Sequence, residues 1–358
     1  MSTFRLYDYD CPTVSSEEQK KVEASVALKF SEQTAGKLLV DEHLKFLMKG
    51  LKNLSSGYEC LDASRPWMCY WILHSIDLLG AMSQIKSSQR KSIAEFLFRC
   101  WDQQTGGFGG GPGQQAHLAT TYAAVNAFSV LGPEYADSYI DRPKLLKFLL
   151  LVKMTDGSFT MHQGGESDVR GAYCALSCAT LLNIVTPELI ASTVDYLKQC
   201  QTYEGGFTSE PGGEAHGGYT FCGSAALLIL DKLNEINVHS LLKYSARRQM
   251  AFEGGFHGRT NKLVDGCYSF WQAAVVSMLS PNAPLFDTNA LRKYILLCCQ
   301  NPKGGLLDKP GKSPDFYHTC YCLSGLSLTK FGGLQPVDVR FNVTVDKAVA
   351  MISHFKSK

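Results

Sequence analysis

A short turn signal that recurs along the chain limits the possible folds more than any other feature. The triplets Gly106-Gly107-Phe108, Gly157-Ser158-Phe159, Gly205-Gly206-Phe207, Gly254-Gly255-Phe256 and Gly304-Gly305-Leu306 stand 51, 48, 49 and 50 residues apart. Five copies at a period near 50 are an internal repeat, and repeats of that length stack supersecondary units around one shared core. Each triplet is followed, 12 to 15 residues later, by a tyrosine that opens a helix of small and apolar residues, at Tyr122, Tyr173, Tyr219, Tyr268 and Tyr321. Tyr70 stands 52 residues before Tyr122 and supplies a first, degenerate copy. Between these six helices lie segments with a clearer polar face, at 143–153, 188–201, 238–250 and 288–300. Helices that are apolar all round are buried and amphipathic ones lie outside. The pattern therefore predicts an all-α fold, an α/α toroid of six hairpins with inner and outer helices in alternation.

Such a ring buries its core only when all its units are present. Residues 15–358 therefore read as a single barrel domain, although a length of 358 residues alone suggests two domains. Residues 1–14 read as a flexible polar arm, with Ser15 and Ser16 as caps of the first helix. Thirty-five basic and thirty-three acidic residues leave a net charge of +2, so no nucleic acid or anionic membrane surface is implied and any anion must be recognised locally. The acidic start MSTFRLYDYDCP and the lack of a long apolar run predict a cytoplasmic protein that is not membrane-embedded. The thirteen cysteines lie in apolar helical patterns, such as Cys174 and Cys178 or Cys298 and Cys299, and most of them read as reduced, buried packing residues.

If all inner helices run the same way, their N-terminal ends ring one mouth of the barrel. The position three before each tyrosine holds Trp67, Ala119, Arg170, His216, Asp265 and His318. Positions that only pack carry small or apolar residues, as Ala119 does, so an aromatic, a cation, two imidazoles and a carboxylate at one register mark a site. Helix N-termini around that mouth favour an anionic ligand.

Three constellations sit there. Asp265, Cys267 and His318 offer oxygen, sulfur and nitrogen on adjacent inner helices. By spacing alone they are equally a helix cap, a core thiol and a hydrogen-bonded histidine, whereas repeat register lets them converge on one ion and leave a fourth position open, as in catalytic zinc sites. His216, Arg259, Lys262 and the Tyr268 hydroxyl gather cationic and donor groups beside that ion, which suits a diphosphate leaving group, although a solvated surface pair is the simpler reading of any one cation. Trp67, Trp71, Tyr122, Tyr173, Tyr219, Trp271 and Tyr321 belong to the inner helices and would wall an apolar funnel suited to a polyisoprenoid. No Asp-x-Asp-Asp motif, phosphate-binding Gly-x-x-x-x-Gly-Lys loop or Ser-centred nucleophile elbow is present.

The runs DASRPWMCYW (62–71), GGFGGGPGQQAHLATTYAAVNA (106–127), DVRGAYC (168–174), EAHGGYTFCG (214–223), GRTNKLVDGCYSFWQ (258–272) and LLDKPGKSPDFYHTCYCLSGLS (306–327) resemble the β subunits of protein prenyltransferases, and among them the farnesyl-transferring branch. The resemblance implies a zinc ion on Asp265, Cys267 and His318, diphosphate contacts from His216, Arg259, Lys262 and Tyr268, and an obligate helical α subunit in a heterodimer. It further implies transfer of farnesyl from farnesyl diphosphate to the cysteine of a C-terminal C-a-a-X (CaaX) motif, on proteins such as small GTPases. Isoprenoid contacts would come from Trp67, Tyr122, Arg170, Tyr173, Tyr219, Cys222, Trp271 and Tyr321, and peptide contacts from Trp71, His117, Arg170 and Tyr317.

Two family positions bear on chain length. Trp67 matches a tryptophan on the floor of the funnel where longer-chain enzymes carry a smaller residue, and Asp308 matches a carboxylate that helps to place magnesium beside the diphosphate, where the geranylgeranyl type I enzyme uses a lysine. Pro314 departs from the pattern, which has a basic residue there. Two other readings stand beside farnesyl transfer: the β subunit of a type I geranylgeranyltransferase, and a zinc-free binding toroid whose thiols merely pack.

Overall fold

The computed structural model describes residues 12–32 and 36–358. Most of the expected arm therefore lies outside the described residues. The chain runs α1 (Val14–Glu32), α2 (Val40–Lys52), α3 (Arg65–Leu78), α4 (Ser87–Arg99), α5 (Leu118–Leu131), α6 (Pro133–Tyr139), α7 (Arg142–Leu151), α8 (Val169–Leu181), α9 (Pro187–Ile190) and α10 (Thr193–Gln199). It continues with α11 (Gly217–Ile229), α12 (Val238–Ala246), α13 (Tyr268–Leu279), α14 (Thr288–Cys298) and α15 (Phe316–Leu328). A small ribbon, β1 (Val337–Asp338) and β2 (Val343–Thr344), then leads into α16 (Val345–Lys356).

The inner helices α3, α5, α8, α11, α13 and α15 pack each on the next, and α15 packs back on α3. The ring is thus closed, an α/α toroid. Inner helices begin up to five residues before their tyrosines, because capping side chains such as His117, Asp168 and Asp315 start them earlier than the apolar pattern does.

The turn triplets join the two layers. Their third residue donates its backbone N–H to a threonine in the first turn of the inner helix that follows: Phe108 to Thr121, Phe207 to Thr220 and Leu306 to Thr319, each at 2.9 Å. Their first glycine sits on the backbone of an outer helix. Gly157 has φ +98°, and a Cβ there would stand 2.1 Å from the Ser192 carbonyl oxygen. Both the left-handed backbone and the close approach exclude a side chain. Gly106, Gly205 and Gly254 lie in the same way on Lys144 of α7, Ser240 of α12 and Ala290 of α14.

Gly304 lies on Glu42, in the N-terminal helix α2. Helix α2 is therefore the outer helix of the last repeat, and the two ends of the repeat array meet there. Fully buried His43 of α2 seals the junction: Gly305 N–H donates to its Nδ1 at 3.0 Å, and its Nε2 meets Gln300 Oε1 at 2.9 Å.

Several boundaries differ from expectation. The segment expected as one helix over 188–201 is two, broken at Ser192, which takes φ +59° where Gly157 presses on its carbonyl. Helix α1 starts at Val14, and its cap is Thr13, which exchanges hydrogen bonds with Ser16 at 2.8 and 3.1 Å, rather than Ser15 or Ser16. Twelve described cysteines are free thiols, and ten of them are buried. No helix among the described residues is long and apolar enough to cross a membrane.

A feature without any periodic signal closes the far part of the ring. The tip of the β1–β2 ribbon reaches the inner helices, where the Phe341 carbonyl accepts from Tyr122 Oη and Asn126 Nδ2, both at 2.9 Å, and the Asn342 carbonyl accepts from Tyr70 Oη at 2.5 Å. Buried His74 of α3 faces Asn342 Oδ1 at 3.3 Å and Ser324 Oγ at 3.2 Å.

Burial pushes the His74 imidazole down to about 3, and burial together with Arg248 pushes buried His257 down to about 4. Both are neutral when folded but protonate near 6.5 when unfolded, so their stability is complete above about pH 6.5 and is lost as pH falls towards those lower values. Each is expected to cost about 1 to 2 kcal/mol between pH 7 and pH 5. Urea unfolding at the two pH values checks this: His74→Gln should flatten the pH dependence by its own share, and an unchanged slope would refute the assignment.

Candidate functional site

The ligand atoms of Asp265, Cys267 and His318 lie within 4.8 Å of one another. Local geometry holds each in place. The Asp265 carboxylate folds over the start of α13, where Oδ1 accepts the Cys267 N–H at 2.9 Å. Between them Gly266 donates to the Asp308 carbonyl at 2.7 Å, and a Cβ there would stand 2.6 Å from Cys322 Sγ, so this joint tolerates no side chain. His318 lies in the first turn of α15, whose cap Asp315 takes both the His318 N–H and the ring Nδ1, each at 2.7 Å. The Nε2 atom is thereby turned towards Asp265, 3.3 Å from Oδ1. A carboxylate behind an imidazole fixes the tautomer and orientation of a ligating histidine. Sequence reasoning missed Asp315; the available signal was an aspartate at the cap, three residues ahead of a histidine.

Burial and the Asp265 charge push the Cys267 thiol well up. Burial opposes charge on His318, yet hydrogen bonds and attraction from Asp265 and Asp315 raise its imidazole to about 10. Two carboxylates and an imidazole, all partly exposed, converge with a buried thiol and make a donor set that suits a cation. One oxygen, one sulfur and one nitrogen donor suit zinc, and three protein donors leave room for one more.

Beside this group lies the cationic side. His216 caps α11, its Nδ1 accepting the Gly218 N–H at 3.0 Å. Burial and Arg259 hold its pKa below the usual value, so the neutral ring carries its proton on Nε2, which faces Tyr268 Oη at 3.1 Å. Nε2–H therefore donates to the phenol oxygen, and the Tyr268 hydroxyl proton remains free for a ligand. Burial keeps that phenol protonated. Arg259 Nη1 meets Glu214 Oε2 at 3.1 Å, and Lys262 is exposed with no ion-pair partner among the described residues. The loop carrying both turns at Asn261, with φ +60°, and is tied at the Lys262 carbonyl to His257 Nδ1 at 3.0 Å.

The aromatic residues form a closed circuit. Trp67, Trp71, Tyr317, Tyr321, Trp271, Phe221, Tyr173 and Tyr122 follow one another around the ring with successive centroids 4.3 to 5.6 Å apart, and Tyr122 returns to Trp67. Phe221 was not singled out from the sequence, because it lies two residues beyond the repeat tyrosine. Tyr122, Tyr173, Tyr321 and Cys222 are buried, whereas Trp67, Trp71, Tyr219, Trp271 and Tyr317 keep part of their surface open. The Trp271 Nε1–H donates to Tyr317 Oη at 3.2 Å.

Arg170 is held by Asp168, with Nε at 3.0 Å and Nη2 at 2.5 Å from its two oxygens, and lies 5.7 Å from the Tyr219 ring centre. His117 caps α5 through Nδ1, as His216 caps α11. Asp308 lies close enough to Asp265 for that charge, after burial, to raise its pKa, and both its oxygens meet Lys309 Nζ. Pro314 packs beside Gly305.

The profile described as "Prenyltransferase alpha-alpha toroid domain" matches residues 38–343. The protein farnesyltransferase subunit beta of Arabidopsis thaliana is 43% identical over 362 aligned residues, which cover 83% of this chain and 74% of that one. The geranylgeranyl transferase type-1 subunit beta of the same plant is 33% identical, with 83% and 86% covered. Among solved structures, protein geranylgeranyltransferase-I of Candida albicans, complexed with GGPP, superposes with a TM-score of 0.80 at 25% identity, covering 89% of this chain and 99% of that one.

Proposed function

This chain belongs to the protein prenyltransferase β-subunit family, and we propose that it is the catalytic β subunit of a cytoplasmic protein farnesyltransferase, active in a heterodimer with a helical α subunit. It transfers the farnesyl group of farnesyl diphosphate to the cysteine sulfur of proteins, small GTPases among them, that end in a CaaX motif. Residues 15–358 act as one barrel domain, since its last repeat is completed only by α2. One observation carries the reading: three zinc-type donors, Asp265 and Cys267 just ahead of α13 and His318 in the first turn of α15, stand next to the His216–Tyr268 pair with Arg259 close by, and next to a closed circuit of aromatic rings that His318 meets through Tyr317.

Asp265, Cys267 and His318 would hold the zinc, with Asp315 orienting His318. When bound, zinc supplies the Lewis acidity that keeps a substrate thiol deprotonated at neutral pH. The chain's own groups serve the departing side. His216 Nε2–H polarises Tyr268 Oη, and the Tyr268 hydroxyl donates to a diphosphate oxygen. Arg259 and Lys262 neutralise the charge that grows as the bond from C1 to oxygen breaks. Asp308, near Asp265, is the residue that would hold magnesium, which would supply further charge neutralisation at the diphosphate, and Lys309 on both its oxygens would have to give way. The partly open faces of Trp67, Tyr219 and Trp271 take the isoprenoid together with Arg170 and the buried Tyr122, Tyr173, Cys222 and Tyr321. Trp71, His117, Arg170 and Tyr317 meet the peptide.

The reading is tested by turnover of the zinc-loaded complex with farnesyl and geranylgeranyl diphosphates and peptides ending in C-a-a-Ser or C-a-a-Leu. The expected outcome is a farnesyl thioether on the serine peptide, about one zinc per complex, and a kcat/KM at least tenfold lower with the longer donor. A kcat/KM higher with geranylgeranyl diphosphate would favour the geranylgeranyl alternative, and turnover without zinc would overturn the mechanism.

A further inference from the structure

The diphosphate subsite contains a carboxylate that its proposed role does not use. Glu214 lies two residues ahead of His216 and reaches across to Arg259, Oε2 to Nη1 at 3.1 Å, so the loop that caps α11 and the loop that leads to α13 are joined by an ion pair at the place where the anion would sit. That pair is solvent-accessible, with side chains 39% and 50% exposed. The rest of the 259–262 loop is held by other contacts. Thr260 Oγ1 meets Glu204 Oε2 at 3.2 Å and Arg248 Nη1 at 2.7 Å, the Lys262 carbonyl is held by His257, and Glu204 Oε1 also accepts the Ala215 N–H at 3.2 Å. With the loop backbone tied down in this way, the Arg259 side chain is the part free to change partners.

We infer that Glu214 is a built-in competitor for the diphosphate: it holds Arg259 until an incoming anion displaces it, and so sets how tightly the subsite retains a diphosphate. The inference rests on the reading of Arg259 as a diphosphate contact. A carboxylate fixed beside the binding cation weakens every anion that must replace it and repels that anion once bound, and its influence falls with ionic strength. The same competition limits retention of the inorganic diphosphate left after transfer.

The test is titration calorimetry of inorganic diphosphate into the zinc-loaded heterodimer. Glu214→Gln is expected to bind it about three- to tenfold more tightly at low salt, with the gain shrinking at 0.3 M salt, and Glu214→Asp is expected to stay within about twofold of the parent. In an Arg259→Gln background, which itself should bind more weakly, Glu214→Gln should bring little gain. Unchanged or weaker binding by Glu214→Gln, while Arg259→Gln weakens it, would overturn the inference and leave the proposed function standing. An equal gain with and without Arg259 would overturn it too, since only net charge would then be at work. If Arg259→Gln leaves binding unaltered, the reading of the subsite fails and this inference falls with it.

Discussion

Cys267→Ala is expected to leave the purified complex with no tightly held zinc and to lower kcat with a CaaX peptide by roughly a thousandfold or more. The magnitude follows from removing one of three protein donors, which abolishes a charge effect of several kcal/mol at the reacting sulfur. Metal analysis and single-turnover farnesylation check the two parts separately. A matched control is Cys178→Ala, a buried thiol on α8 with no part in the cluster, which should retain its zinc. Full metal content and turnover in Cys267→Ala would show that the converging donors are only a capped helix with a core thiol.

The second large effect concerns the length of the transferred chain. Trp67 packs 5.6 Å from the Tyr122 ring and 6.1 Å from the Tyr70 ring, and the hydroxyls of these tyrosines are themselves anchored on the ribbon tip at Phe341 and Asn342. The indole therefore packs on two tyrosines whose hydroxyls are tethered to the ribbon, and removing it is expected to open space in the barrel. Trp67→Thr is expected to raise kcat/KM for geranylgeranyl diphosphate relative to farnesyl diphosphate by about a hundredfold, the scale on which a blocked apolar subsite discriminates. A ratio that moves less than about threefold would show that chain length is set elsewhere in the aromatic circuit.

The route from sequence to site was short for some residues and closed for others. Asp265 and His318 are equivalent in the repeat because a period near 50 residues superimposes inner helices, register converts distance along the chain into adjacency around a ring, and Cys267 follows Asp265 by two residues. The tyrosine and tryptophan wall followed from the same register. Phe221, Asp315 and Glu214 did not, since each stands off the repeat position and matters only through a partner: Phe221 through Trp271, Asp315 through His318 and Glu214 through Arg259. Asp308 shows the reverse case. Resemblance singled it out, but only the structure places Lys309 Nζ on its two oxygens.

By itself, then, the sequence determined an all-α ring of repeated hairpins and the chemical character of one mouth. Spacing of glycine triplets and apolar helices is local information, and each repeat writes it again. Tertiary structure alone decided that α2 serves as the sixth outer helix, that Ser192 breaks an outer helix beneath Gly157, and that the 337–344 ribbon closes the inner helices. Those features depend on single contacts between residues far apart in the chain, such as the close approach of the Glu42 carbonyl to Gly304 or the hydrogen bond from Tyr122 Oη to the Phe341 carbonyl. No periodicity encodes such a contact, because it occurs once.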